Sequence, residues 1–153
     1  MSRSRNRFKG SRVQGGFLAM PHSVLNAAAF VRLSGSAVKL LMDLGAQYRG
    51  DNNGDLSIAW KLMEPRGWAS QTTLHKAKDE LLKSGFLFEA RKGQRPNKCS
   101  LYALTWFDLD VSDKHDAGAK AFMRNAFKMH EPLARVVPRQ NAVLTPETGV
   151  AAA

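Results

Sequence analysis

The sequence predicts a small α+β domain, mainly helical, with a single β-hairpin. Three observations carry that expectation. The stretch Ser70–Gly85, SQTTLHKAKDELLKSG, opens on a good helix N-cap and closes on a residue suited to the left-handed turn beyond a helix end. Just before it, a helical segment stopped by Pro65 and a short connection containing Gly67 give the order helix, turn, helix. Just after it, two β-prone segments flank Gly93-Gln94-Arg95-Pro96-Asn97, which is turn chemistry.

At 153 residues the chain allows one domain with length left over for tails. The expected organisation is a flexible basic arm over residues 1–16, the domain over residues 17–110, and a flexible tail over residues 111–153. An apolar fraction of 44% is enough for a core, and 23 Lys and Arg against 13 Asp and Glu give a formal charge of +10. For so short a chain that excess points to a polyanionic partner, either nucleic acid or an anionic membrane surface.

Its distribution is more informative than its size. Arg3, Arg5, Arg7, Lys9 and Arg12 stand in the arm without an acid among them. Residues 17–55 balance, and the excess returns around residues 60–84 and at Arg91, Lys92, Arg95 and Lys98. Basic arms of this kind lie along phosphates or enter a minor groove. Cys99 is the sole cysteine, which excludes an internal disulfide and a cysteine-based zinc site. A reducing cytoplasm is the expected setting. No apolar run approaches the ~18 residues of a membrane span, and the basic N-terminus lacks the apolar region of a secretion signal.

Taken in order, Pro21 and an Ala-rich apolar stretch predict a short helix over residues 22–30. Ser34 caps a second helix, in which Ala37, Val38, Leu40, Leu41, Leu44 and Tyr48 recur at helical spacing as core. Gly50-Asp51-Asn52-Asn53-Gly54-Asp55 reads as a loop. Its alternating acids do not make a calcium loop, because no Gly stands at the sixth position and Leu62 occupies the place of the closing Glu. Leu56-Ser57-Ile58 fits a small edge strand, with Ser57 able to cap a helix from Ile58 to Glu64 that Pro65 stops.

In the helix from Ser70 to Ser84, Leu74, Ala77, Leu81 and Leu82 share one side, and Thr72, His75, Lys76, Asp79 and Lys83 share the other. Asp79 and Glu80 read as a solvated helix edge, and Trp68 as a packing residue. Strands follow over residues 86–92 and 98–105. Beyond Asp110 the pattern decays to one weak amphipathic segment, Ala117–Met129, expected as a short helix that docks on the domain or on a partner. His22, His75, His115 and His130 are too dispersed for a metal site, no catalytic triad or dyad is legible, and a phosphate-cradling Gly-rich loop is absent. No metal, no cofactor and no enzymatic activity are expected.

This order of elements resembles the winged helix-turn-helix DNA-binding domains of bacteria, prophages and plasmids, most closely the small phage-type replication and regulatory proteins. The likeness covers residues 17–110. It is carried by Leu33-Ser34, Asn52 through Ser57, Arg66-Gly67-Trp68, Ser70 through Leu74, Leu81 through Phe86 and Leu101 through Trp106.

The resemblance implies that the Ser70 helix enters the major groove of double-stranded DNA, with base contacts from Gln71, Thr72, His75 and Lys76. It implies phosphate contacts from Lys61, Arg66, Ser70, Arg91, Lys92, Arg95 and Lys98, the last four forming a basic wing. It allows a homodimer and leaves regulator and replication protein both open. Two alternatives remain: a protein-interaction adaptor that no longer reads DNA, and an RNA-binding protein that uses the arginine-rich arm.

Overall fold

Ser34 and Ser70 start the two longest helices, each by accepting a hydrogen bond from a backbone N–H in the first turn. The computed structural model describes residues 15–130. Among them are α1 (His22–Leu25), α2 (Ala28–Val31), α3 (Gly35–Gln47), α4 (Trp60–Met63), α5 (Gln71–Lys83), β1 (Leu87–Arg91) and β2 (Leu101–Leu104). The described residues form an α+β fold with five α-helices and one two-stranded antiparallel sheet.

The helix expected over residues 22–30 is instead two single turns. Ala27 between them is extended, with ψ of 138°. Ala27 and Ala29 are both buried although they stand two residues apart, which one helical stripe does not allow. The break lets both face the core.

Helix α3 buries Ala37, Leu40, Leu41 and Leu44 and packs along α5, which contributes Leu74, Ala77 and Leu81. Each fully buried leucine contributes roughly 1.5–3 kcal/mol. A polar tie fixes how the two helices meet. The Glu80 carboxylate accepts from the Ser34 N–H at 2.7 Å and from the Ser34 hydroxyl at 2.6 Å. Glu80 is therefore not part of a solvated edge. It places a negative charge at the positive end of α3. Asp79 does stay exposed, beside Lys78 at 3.5 Å.

Beyond Lys83 the chain reverses through Gly85 at φ 79°, where the Gly85 N–H meets Leu82 O at 3.3 Å and the Phe86 N–H meets Leu81 O at 3.1 Å. That pair of bonds is the Schellman termination a glycine permits. Gly85 has a second reason to be glycine. A Cβ there would sit 2.7 Å from the backbone of Ala126 and Phe127.

Helix α4 is shorter than the expected Ile58–Glu64 segment. It starts after Ala59 without a side-chain cap, while the Ser57 hydroxyl accepts from the Ala59 N–H at 3.2 Å. Pro65 does not end the helical path at once. A 3-10 turn over Glu64–Arg66 carries it on to Gly67, which closes it at φ 91°. The expected strand at residues 56–58 reduces to one bridge residue, Leu56, whose N–H and C=O pair with Tyr102 at 3.1 and 2.8 Å.

The two strands are also shorter than the expected 86–92 and 98–105, and a bulge between Glu89 and Arg91 shifts their register. Asn53, in the loop before Leu56, is fully buried and holds the exit of β2. Its amide bonds the N–H and C=O of Leu104 and the C=O of Asp108, at 2.7, 2.9 and 2.8 Å.

Residues 117–129 form no single helix. Two 3-10 turns, Ala117–Ala121 and Ala126–His130, are joined by a short connection that ends in a turn with Asn125 at φ 58°. Phe127 from the second is fully buried and stacks on Phe86 with ring centroids 4.8 Å apart. Phe127 thus anchors this segment in the core, while most of its other residues stay exposed.

Candidate nucleic-acid interface

Burial of Leu74, Ala77 and Leu81 dictates which side of α5 faces outward. Gln71, Thr72, His75 and Lys76 are all exposed, in the first half of the helix, and no hydrogen bond ties their side chains to another described residue. The Ser70 hydroxyl is occupied as a cap, accepting from the Thr73 N–H at 3.4 Å. Such a cap is worth about 1 kcal/mol to the helix.

The hairpin stands next to this face. A cleft of about 210 Å³ has His75 and Lys78 of α5 on one wall and Cys99, Ser100 and Tyr102 on the other, with Ser57, Ile58 and Ala59 at its end. Burial raises the Tyr102 hydroxyl above its ordinary range; a hydrogen bond with Ser100 works against the shift, and the charges of Glu89 and Asp79 add to it. Tyr102 is thus a neutral hydroxyl at physiological pH. Lys78, Ser100 and Tyr102 were not among the expected contacts. Lys78 was legible, since it lies three residues after His75 on the same helical face.

The four hairpin cations divide into two pairs. Arg91 reaches across the strands, its Nε donating to Cys99 O at 3.0 Å and a terminal nitrogen to Cys99 Sγ at 3.3 Å. Lys98 pairs with Asp116 at 3.2 Å. Asp116 also accepts from the Lys92 backbone N–H at 2.7 Å, and this bond, followed by the one from Lys98, holds its carboxyl below the usual range. The side chains of Lys92 and Arg95 are exposed and unpaired among the described residues. The loop between them is pinned by two bonds between Gln94 and Lys98, of 2.7 and 2.9 Å.

Arg66 is differently placed from the phosphate contact expected of it. Its Nε donates to Asp43 at 2.7 Å. Asp43 is buried in α3 and also accepts from Lys39 at 2.9 Å and from the Trp68 indole N–H at 2.8 Å. Burial alone would raise the Asp43 carboxyl, but the bonds from Trp68, Lys39 and Arg66 together with the Lys39 charge outweigh it and hold the group below its ordinary value. Lys39 also bonds Arg66 O at 2.8 Å and lies 5.3 Å from the Trp68 ring centre. The cluster locks the turn ahead of α5 onto α3. Lys61 on α4 is exposed.

The arm residues Arg3, Arg5, Arg7, Lys9 and Arg12 lie outside the described residues, as does the sequence beyond residue 130. Among the described residues no group of three or more His, Cys, Asp or Glu side chains is gathered for a metal ion, and no helix is long and apolar enough to cross a membrane. Comparison with protein families, curated proteins and solved structures finds no match.

Proposed function

We propose that the protein binds double-stranded DNA as a winged helix-turn-helix protein, with α5 in the major groove and the β1–β2 hairpin as the wing. One observation carries this reading. His75 and Lys78 of α5 and Cys99, Ser100 and Tyr102 of the hairpin border a single cleft, which sets the exposed face of α5 beside the hairpin that carries Lys92 and Arg95 and supports one duplex meeting both.

In this arrangement Gln71 pairs with adenine, Lys76 reaches guanine O6 and N7, and Thr72 meets a thymine methyl or a base edge. His75 sits between the helix and the hairpin. Lys92, Arg95 and Lys61 neutralise phosphates, which sets affinity and register without reading sequence. Ser70 offers the start of α5 to a phosphate. Lys98 joins them only by exchanging Asp116 for a phosphate. Arg66 acts by holding the turn. The biological role that fits is regulation of transcription or service in replication, in a bacterial, phage or plasmid system.

Selection of bound sites from a pool of random duplexes tests the proposal. The expected outcome is a shared site a few base pairs long. Recovery of duplexes with no common sequence would rule out base reading by α5.

A further inference from the structure

The bulge between Glu89 and Arg91 leaves Ala90 without a partner residue in β2. Its carbonyl accepts instead from the Asp116 backbone N–H at 3.0 Å. That bond sets the Asp116 carboxylate at the start of the hairpin loop. One oxygen accepts from the Lys92 backbone N–H at 2.7 Å and the other from the Lys98 ammonium at 3.2 Å. Among the described residues no other carboxylate bonds a hairpin cation.

The approach of Asp116 is imposed by the chain before it. Asp110 exchanges two bonds with Asn53, its N–H donating to Asn53 O at 2.9 Å and its carboxylate accepting from the Asn53 N–H at 2.8 Å. The His115 ring lies 3.2 Å from one Asp55 oxygen, and Lys114 meets the other at 3.3 Å. His115 also fills the space over Gly54, where a Cβ would fall 2.5 Å from the ring. Residues 110–116 thus run as a strap from the Asn53–Asp55 loop to the hairpin, tied at both ends.

The donors that Asp116 takes, one backbone N–H and one lysine ammonium, are of the kinds that hold phosphate oxygens in nucleic-acid complexes. Its carboxylate stays ionised at neutral pH, because the bonds from Lys92 and Lys98 hold it below its ordinary range. Both side chains of the ion pair are 39% exposed, so water and salt screen it and it exchanges readily. Lys98 carries its charge on a flexible four-carbon stem that can turn to a new partner.

We propose that the Lys92 N–H and the Lys98 ammonium form a phosphate site for the nucleic-acid backbone, and that Asp116 is a built-in competitor that fills it when no duplex is bound. The inference rests on duplex binding by the hairpin and adds the regulation of that site. A duplex gains Lys98 only by displacing Asp116, so the strap holds affinity below what the hairpin cations would give alone.

Two neutralised variants of the full chain test this. Asp116→Asn keeps an oxygen for the Lys92 N–H and removes the charge that holds Lys98. Asp113→Asn removes the same charge from an exposed position of the strap and corrects for net charge. Fluorescence anisotropy gives the affinity of each for one duplex across a salt series, with and without Lys98→Ala. Asp116→Asn should tighten binding about three- to tenfold near ~0.1 M salt and steepen the salt slope by about 0.9, whereas Asp113→Asn should do neither. Lys98→Ala should weaken binding by about the same factor in the Asp116→Asn chain and have little effect in the parent. The Lys92 amide proton, followed by NMR, checks the contact itself. Its shift should track a carboxylate titration in the parent and lose that response in Asp116→Asn.

Duplex binding with an unchanged slope in Asp116→Asn, with Asp113→Asn matching it, or with Lys98→Ala equally costly in both backgrounds would overturn the competitor alone. A Lys92 shift that responds identically in both chains would also overturn it. Absence of duplex binding in every variant would overturn the proposed function, and this site with it.

Discussion

The turn ahead of α5 and the loop of the hairpin look alike as sequence and differ as structure. Both are short, contain glycine and carry arginine, and a phosphate contact was expected from each. In the turn, Arg66 is drawn to Asp43, 23 residues earlier in the chain, and shares that carboxylate with Lys39 and Trp68. In the hairpin loop, Lys92 and Arg95 face solvent with no carboxylate on their side chains. One basic element is part of the scaffold and the other is available to a ligand. Which carboxylate lies within reach decides the matter, and sequence distance hides it.

The largest effect expected from breaking that contrast comes from Asp43→Ala. It would leave the Trp68 N–H without its buried acceptor and release both cations, which are half exposed and rehydrate. A loss of about 2–3 kcal/mol in urea denaturation is expected. The same group gives an acid signature. Its carboxyl is held below the unfolded value of about 3.9, so its contribution is complete above that pH and disappears as pH falls through the lower folded value. The difference in stability between the parent and Asp43→Ala should therefore shrink on acidification below about pH 4. A difference that stays constant well below that pH would show that the carboxylate charge is not what holds the turn.

Next in size is Lys76→Ala, placed on the exposed half of α5. It should relax base preference at one position, at about 1–3 kcal/mol, as measured by competition between matched and mismatched duplexes. The smallest effects sharpen the comparison best. Arg95→Ala should weaken all duplexes alike and flatten the salt dependence by about one phosphate contact. Arg66→Ala should lower the melting temperature and leave that slope unchanged. If Arg66→Ala flattened the slope as much as Arg95→Ala, the division between scaffold and ligand cations would be wrong.

Several local features were legible in the sequence because one residue acts on its own neighbourhood. Ser34 and Ser70 cap as their types and positions suggest, and Gly85 adopts the positive φ that a helix end asks of it. The stripe Leu74, Ala77, Leu81 assigns the inner face of α5 and so also its outer one. Features set by distant partners were not legible. Glu80 had the look of a surface acid because Ser34, which it binds, is 46 residues away. Asn53 resembled any turn asparagine, yet it is the buried bracket at the exit of β2. The 117–129 segment shows only weak periodicity because it has no regular helix to present, and its anchor is the single side chain of Phe127 in the core. The four candidate base contacts came from exposure and position alone. Lys78, at the edge of the cleft, was legible from its place three residues after His75 and was not counted among the expected contacts.

The proposed function requires that one duplex meets α5 and the hairpin together. Its most direct measurement is the affinity of the full chain for duplex DNA across a series of salt concentrations. The logarithm of the binding constant should fall linearly with the logarithm of salt, with a slope of about −0.9 per phosphate engaged and several phosphates in total. Absence of duplex binding at low salt, or binding that does not respond to salt, would contradict it.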